Sequence, residues 1–518
     1  MASMPPSLGA VKRPSSPDGK DHSVSKRSLH SEKHGRRFAF KSNSKYLRYL
    51  PAGGQIQKES NLAMTGEDAK NPYSRFCSEP SRKHGNKGLV HIRCCYNNKY
   101  WVAGDGGPPI TIFCSANEPQ DDPSKPYCTL FRPLYHSGST EELVSSFHYM
   151  DGIAAVCLGK NDLDGRLIIN YESVDPAQFT AIDLETHGMV LPEHVCFRGD
   201  NGMYLRAVDA MGRLQFSSND IADPRAKQTI VADQDGTICI KNNYLDKFWR
   251  FNEPSDGDYG IYADAKDKRM YDTIFHLVKL DNNEIALQVK DRMRNKIYCQ
   301  RVTYNDKTRD LLCTSTKSIM KEARLQMHEA ILSRRIYNVE YHTLDARVYG
   351  QKTLTLTSAQ AINRSSKENK AKLTLTYSST KQATWESSVS ATAGVAVTMK
   401  VEVPEIVEAL GAKIGFEIQS HYELSASYNW GETKVDTTEQ SIEYEITVLP
   451  RTKVRLSLVA TQGVCEIPFS YMQEDILING GKVTSRLEDG LFRGVNSYNF
   501  QYEVQEWPIT NDDPKIIM

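Results

Sequence analysis

No run of eighteen apolar residues occurs in this chain, so the sequence encodes no transmembrane helix. The longest uncharged stretch of interest, 387–399, is mostly Ser, Thr, Ala and Gly, which leaves a membrane-spanning strand open. Net charge is lacking as well. Lys and Arg total 64, as do Asp and Glu, so no long-range field draws the chain to nucleic acid, and none is expected as a partner. The eleven cysteines are odd in number, with no Cys-x-x-Cys and no Cys/His spacing that suits zinc. They read as reduced, buried thiols. Catalytic signatures are missing too: no Gly-x-Ser-x-Gly, no His-Glu-x-x-His, no phosphate loop and no identifiable pair of catalytic carboxylates. The expectation is a non-enzymatic protein with no cofactor and no metal.

The first residues hold no apolar block that suits a secretory leader. Over residues 1–37, Lys12, Arg13, Lys20, Lys26, Arg27, Lys33, Arg36 and Arg37 face only Asp18, Asp21 and Glu32, and the stretch 1–33 reads as a disordered basic tail. The pairs Lys12-Arg13 and Lys26-Arg27 fit either a nuclear-import address or a plain solvated leader. A cytoplasmic or nucleocytoplasmic location is expected on this ground.

What the chain does have is enough apolar residue to build cores, 39% hydrophobic against 25% charged. At roughly 150 residues per domain, its length suits about three to four domains. Short alternating apolar runs, broken by Gly, Asn, Asp and Pro clusters such as 51–54, 104–109 and 235–236, predict all-β modules. One helix is expected at 318–330, where Ile319, Ala323, Met327 and Ala330 would share a face.

The chain also repeats itself. Phe40, Tyr46, Leu47 and Arg48 return as Phe197, Tyr204, Leu205 and Arg206. Asn71-Pro72 returns as Asp223-Pro224. The block Val90 to Arg93 with Asn98, Lys99, Tyr100 and Trp101 returns as Ile238 to Lys241 with Asp246, Lys247, Phe248 and Trp249. Three matched blocks in one order predict two copies of one domain, placed at 34–185 and 190–325.

From Arg335 onward the strands lengthen and Thr and Ser become frequent, which predicts a long, narrow sheet with one buried and one wet face, within a third unit at 333–510. Inside it lie two long period-two segments of opposite parity. The apolar set of the first is Val389, Ala391, Ala393, Val395, Val397, Met399, Val401 and Val403; that of the second includes Ile414, Phe416, Ile418, Tyr422 and Leu424. This is the pattern of an amphipathic hairpin, whose paired residue numbers must add to an odd value. A register of 815 would set Trp385 beside Trp430; one of 817 would set Lys400 beside Glu417, and the sequence does not choose. A transmembrane strand needs about 9–11 residues, apolar toward lipid and polar toward a lumen, and these segments satisfy both demands. A soluble sandwich with long strands would look the same. A lone hairpin exposes unpaired backbone at its edges, so spanning lipid would require a homo-oligomer that closes a barrel.

The repeated blocks, with Leu214-Gln215-Phe216 and the strand from Tyr298 to Thr303, resemble the amaranthin-type plant agglutinin domain. The last third resembles an aerolysin-type β-pore-forming module at Ser333-Arg334-Arg335-Ile336, Asp345-Ala346-Arg347-Val348-Tyr349 and Asn429-Trp430-Gly431-Glu432-Thr433. The resemblance covers almost all of 34–508. It implies an all-β protein: two β-trefoil lectin domains followed by an elongated aerolysin-like sheet module. It also implies binding of galactose/N-acetylgalactosamine-type glycans, membrane contact on insertion and a role in plant defence.

Exposed aromatics offer a sugar a stacking face, and amides or cations beside them supply hydrogen bonds. On that logic Asn98, Tyr100, Trp101, Lys247, Phe248 and Trp249 are candidate sugar contacts. The alternative is that the repeated Trp101 and Trp249 are core plugs that both copies need. Two further readings of the whole chain are a soluble intracellular glycan-binding scaffold whose last module only oligomerises, and a glycan-processing enzyme, which the missing catalytic constellation disfavours.

Overall fold

A computed structural model describes residues 37–51, 62–387 and 431–510, apart from short internal stretches between 84 and 308. The basic tail and the residues 389–424 of the expected hairpin lie outside the described residues.

The first unit holds strands β1–β12. Six of them, β1 (Arg37–Ser42), β4 (Phe76–Pro80), β5 (Val90–Cys94), β8 (Phe131–Tyr135), β9 (Leu143–Tyr149) and β12 (Phe179–Asp183), pair in a ring and close a barrel. Three hairpins cap it: β2–β3 (Lys45–Tyr49, Leu62–Gly66), β6–β7 (Tyr100–Ala103, Ile110–Ala116) and β10–β11 (Ala154–Leu158, Leu167–Asn170). The second unit repeats the plan. Its barrel is β13 (His194–Arg198), β16 (Gln228–Ala232), β17 (Thr237–Asn242), β20 (Phe275–Lys279), β21 (Glu284–Lys290) and β24 (Leu325–Glu329). Its caps are β14–β15 (Tyr204–Ala207, Leu214–Ser218), β18–β19 (Lys247–Phe251, Ile261–Ala265) and β22–β23 (Lys296–Val302, Leu311–Thr316).

A six-stranded barrel under three hairpins is a β-trefoil, and a local feature repeats with its three-fold symmetry. The turn entering each cap holds one left-handed residue: Asn43, Asn98 and Met150 in the first unit, Gly202, Asp246 and Arg294 in the second. The matched Asn71-Pro72 and Asp223-Pro224 both open a single 3-10 turn. Each side chain accepts from the backbone N–H two residues on, at 3.0 Å from Tyr73 and 2.9 Å from Arg225. Closing the ring removes exposed sheet edges.

The expected helix at 318–330 is not formed. A single 3-10 turn at Lys321–Ala323 leads into β24, which pairs with β13. Leu325, Met327 and Glu329 point inward at every second position, and the barrel needs that strand for closure. The helical spacing of Ala323, Met327 and Ala330 was coincidental to this alternation.

The third unit consists of six long strands: β25 (Ile331–Tyr341), β26 (Arg347–Asn363), β27 (Asn369–Glu386), β28 (Thr433–Val448), β29 (Thr452–Leu477) and β30 (Lys482–Pro508). β29 is central, flanked by β30 on one edge and by β25 and then β26 on the other. β27 joins β30 only through 382–386; the rest of it pairs with β28 as a two-stranded ribbon. Leu373, Leu375, Tyr377, Ile446 and Val448 of the ribbon pack on Val454, Leu456 and Leu458 of β29. Its other face is wet, as the alternation of Thr, Ser, Lys and Glu predicts. There Thr376 meets Ser441 at 3.2 Å, Thr380 meets Thr437 at 3.1 Å, and Lys370 pairs with Glu445 at 2.9 Å.

A second core surrounds Trp385, whose indole N–H donates to the Tyr341 hydroxyl at 2.9 Å. Gly490 lies against it. A Cβ there would stand 2.3 Å from the ring of buried Phe469. Gly490→Ala is expected to cost about 1–3 kcal/mol through overpacking, read as a lowered Tm. An unchanged melt would show that the ring can yield.

Candidate functional site

Each trefoil carries the repeated turn at the same place, between the first two strands of its second repeat. Asn98 and Asp246 both take φ 56°, a left-handed conformation that Asn and Asp accept more readily than most residues. The following tryptophans turn into the barrels. Trp101 is wholly buried among Phe40, Phe76, Phe131 and Phe147, with ring centroids 5.6–6.0 Å away. Trp249 is wholly buried too, packed on Phe197 and Phe275, and its indole N–H donates to Gln228 at 3.0 Å. In this conformation neither indole offers a face to a sugar: both fill the cores.

The other members of the turns differ between the copies. In the first copy Asn98 and Tyr100 are buried, and what covers them is the third unit. The Asn98 amide donates to Glu466 of β29 at 3.0 Å. Arg347 of β26 donates to the same carboxylate at 3.1 Å and to the Asn117 carbonyl at 2.6 Å. Its guanidinium lies 5.4 Å from the centroid of the Tyr100 ring and 3.9 Å from that of Tyr349. Beneath this, Glu79 accepts from Arg93 at 2.8 Å and from the Tyr100 hydroxyl at 2.9 Å. Burial alone would raise the Glu79 carboxyl, but the Arg93 guanidinium overrides it and holds it below the usual carboxylate range.

In the second copy the same turn stands open. Lys241 pairs with Asp246 and lies 5.8 Å from the centroid of the Phe248 ring, with Lys247 and Phe248 half-buried. Tyr244 is exposed, with the Arg225 guanidinium 5.5 Å from its ring centroid. The structure thus brings Lys247 and Phe248 to an accessible surface while it places Asn98 and Tyr100 inside a junction.

Sequence reasoning missed the partners that make this junction. Tyr49 donates to Asp345, which follows β25 in a 3-10 turn set beside Tyr96 and half-buried His342. Their pairing spans almost 300 residues, so no local pattern announces it. Desolvation lowers the pKa of His342 below 6.5, against the pull of Asp345, Glu488 and Glu340 and with Arg486 assisting. The folded chain therefore binds that proton less readily than the unfolded one. Its stability holds above about pH 6.5 and erodes as pH falls toward the folded value. Asp345, raised by burial, works in the opposite sense: its share is complete below the unfolded carboxylate pKa and is lost as pH rises through the folded one. His342→Gln is expected to shrink the difference in urea midpoint between pH 7 and pH 5; an unaltered difference would place that dependence elsewhere.

The second trefoil is joined to the third unit by a buried charge cluster. Arg334 of β25 donates to Glu329 of β24 at 2.5 Å and to Asp475 of β29 at 2.8 Å. The Ile478 N–H donates to the Ala330 carbonyl at 3.1 Å beside it. All eleven cysteines are free thiols, ten of them buried, and no group of His, Cys, Asp and Glu among the described residues is arranged to hold a metal.

Comparison with known proteins fits the two trefoils. Residues 37–155 and 189–324 each match the family model of the agglutinin domain, so the chain carries two agglutinin domains in tandem. No curated protein matches it. Among solved structures, it is similar to a mosquitocidal holotoxin at 9% identity and a TM-score of 0.27, over 60% of this chain. The match spans 36% of the holotoxin's length. Parasporin-2 of Bacillus thuringiensis is matched at 19% identity over 34% of this chain and 74% of its own, with a TM-score of 0.20. An aerolysin-like protein of Bombina maxima is matched at 11% identity over 34% of this chain and 99% of its own, with a TM-score of 0.23. At such TM-scores these likenesses do not bear on what the third unit does.

Proposed function

We propose that the protein is a non-enzymatic lectin with a pore-forming module, acting in plant defence from a cytoplasmic or nucleocytoplasmic store. Its agglutinin domains dock on galactose/N-acetylgalactosamine-type glycans, several chains gather, and residues about 387–428 cross the membrane as hairpins that close one barrel. No nucleic acid takes part.

The observation that carries this reading is the ribbon. Its sixteen paired positions, from Asn369↔Val448 to Thr384↔Thr433, all add to 817, without a bulge. One face is apolar over Ala371, Leu373, Leu375 and Tyr377 with Ile442, Tyr444, Ile446 and Val448, and turns polar at Ser379 and Lys381. The other is Ser, Thr and ion pairs, and in the sequence between the two strands a period-two alternation resumes with its phase reset. Carried onward, that register sets Lys400 beside Glu417 and keeps both apolar sets on one face. Such a ribbon is already the right shape for a barrel stave, and its edges find partners only in other copies.

The test is dye release from liposomes that display N-acetylgalactosamine-terminated glycolipid. Release that requires the glycolipid and is blocked by free N-acetylgalactosamine is the expected result. Binding to those liposomes without release would favour the soluble glycan-binding scaffold instead.

A further inference from the structure

The two copies of the agglutinin turn provide an internal comparison, and they differ in what lies on them. Tyr96 and Tyr244 occupy matched positions, yet Tyr96, packed on Tyr49 and Tyr73 of its own unit and beside His342 of the third, is 4% exposed and Tyr244 is 56% exposed. Asn98 is held by Glu466, whereas the Asp246 side chain projects into solvent. Tyr100 lies under Arg347, whereas its counterpart Phe248 has Lys241 of its own domain beside it. The first copy lacks no part of the turn; it differs in being covered.

Resting on the lectin reading above, we infer that the third unit is an internal competitor for glycan at the first agglutinin domain. In the docked chain only the second domain is open to sugar, and the first binds only when the module has left. The chemistry of the cover mimics that of a ligand. The Arg347 guanidinium occupies the face of Tyr100 on which a sugar ring would stack, and the Glu466 carboxylate takes the Asn98 amide that a hydroxyl would accept from. Further along the same junction, Gly350 donates its N–H to Glu118 at 2.7 Å.

The junction is also built to part without stranding a charge. Glu466 keeps Arg347 and the Tyr349 hydroxyl, at 3.1 and 2.9 Å, both from its own unit. Asn98 keeps Arg93, and Arg93 keeps Glu79. Asp345 loses Tyr49, Arg347 loses the Asn117 carbonyl and Glu118 loses the Gly350 N–H, and water can replace each. Removing one member of a buried pair is usually costly because the other is left unpaired, and this arrangement avoids that penalty on both sides. Sugar binding at the first copy and docking of the module therefore exclude one another, so glycan shifts the chain toward the undocked state in proportion to its differential affinity.

The experiment is calorimetric titration of the full chain with N-acetylgalactosamine. One site per chain is expected for the parent. Two are expected for Asp345→Ala/Glu466→Ala, which weakens docking from the module side and leaves the surface of the first domain intact. Tyr244→Ala/Asp246→Ala, both on exposed side chains, is expected to abolish the parent's one site and to leave one in the undocked background. Two sites in the parent would overturn the inference. So would one site in the Asp345→Ala/Glu466→Ala variant once amide exchange shows residues 93–100 uncovered. No binding by any of these chains would remove the lectin reading itself, and the inference with it. Should the double variant fail to fold, amide exchange on the parent decides. Sugar-induced protection at 241–248 alone supports the inference, and protection at both turns overturns it.

Discussion

Val395→Arg is expected to abolish dye release while leaving glycan binding unchanged. Val395 lies near the middle of the first apolar set, and the proposed continuation of the ribbon's register would set it beside Tyr422. An arginine on the lipid face of a barrel costs about 2–4 kcal/mol at the bilayer midplane, and every copy in the ring would carry it. With about 1.4 kcal/mol corresponding to tenfold, release should fall by at least an order of magnitude. Thr392→Arg is the control by parity. It belongs to the polar set, which would face a lumen, and should leak much like the parent. Equal leakage from Val395→Arg and the parent would refute the lipid-facing assignment. Equal loss from both substitutions would mean that bulk, not lipid, is what the segment rejects.

The largest effect on stability is expected from Arg334→Ala. Arg334, Glu329 and Asp475 form one hydrogen-bonded cluster with Arg334 and Glu329 buried and Asp475 nearly so. Taking away the cation leaves two carboxylates facing each other out of water, with an expected loss of about 3–5 kcal/mol. The cluster ties β24 of the second trefoil to β25 and β29, so the loss should appear as a lowered urea midpoint for the junction between these units. Replacing all three residues by apolar ones of similar volume should restore most of it, because then no charge is buried at all. A single Arg334→Ala that unfolds with the parent would show that water reaches the cluster.

Much of the architecture was legible in the chain. The matched blocks around Tyr46 and Tyr204, and around Trp101 and Trp249, mark two copies because each trefoil must fill its barrel and turn its hairpins in the same way. The Thr- and Ser-rich alternation of 369–386 and 433–448 marks a two-faced ribbon because strand side chains alternate with period two. The expected helix at 318–330 shows where local spacing misleads: a strand that closes a barrel takes its conformation from β13, not from its own neighbours.

Fold class, duplication and the polarity of the ribbon faces follow from residue type at short, regular spacing. The register of 817 between β27 and β28, and the different fates of two nearly identical turns, are visible only in the folded chain. Nothing local distinguishes Asn98 from Asp246 as covered or open. That difference comes from Glu466 and Arg347, hundreds of residues away, and a contact of that range is set by how whole domains dock.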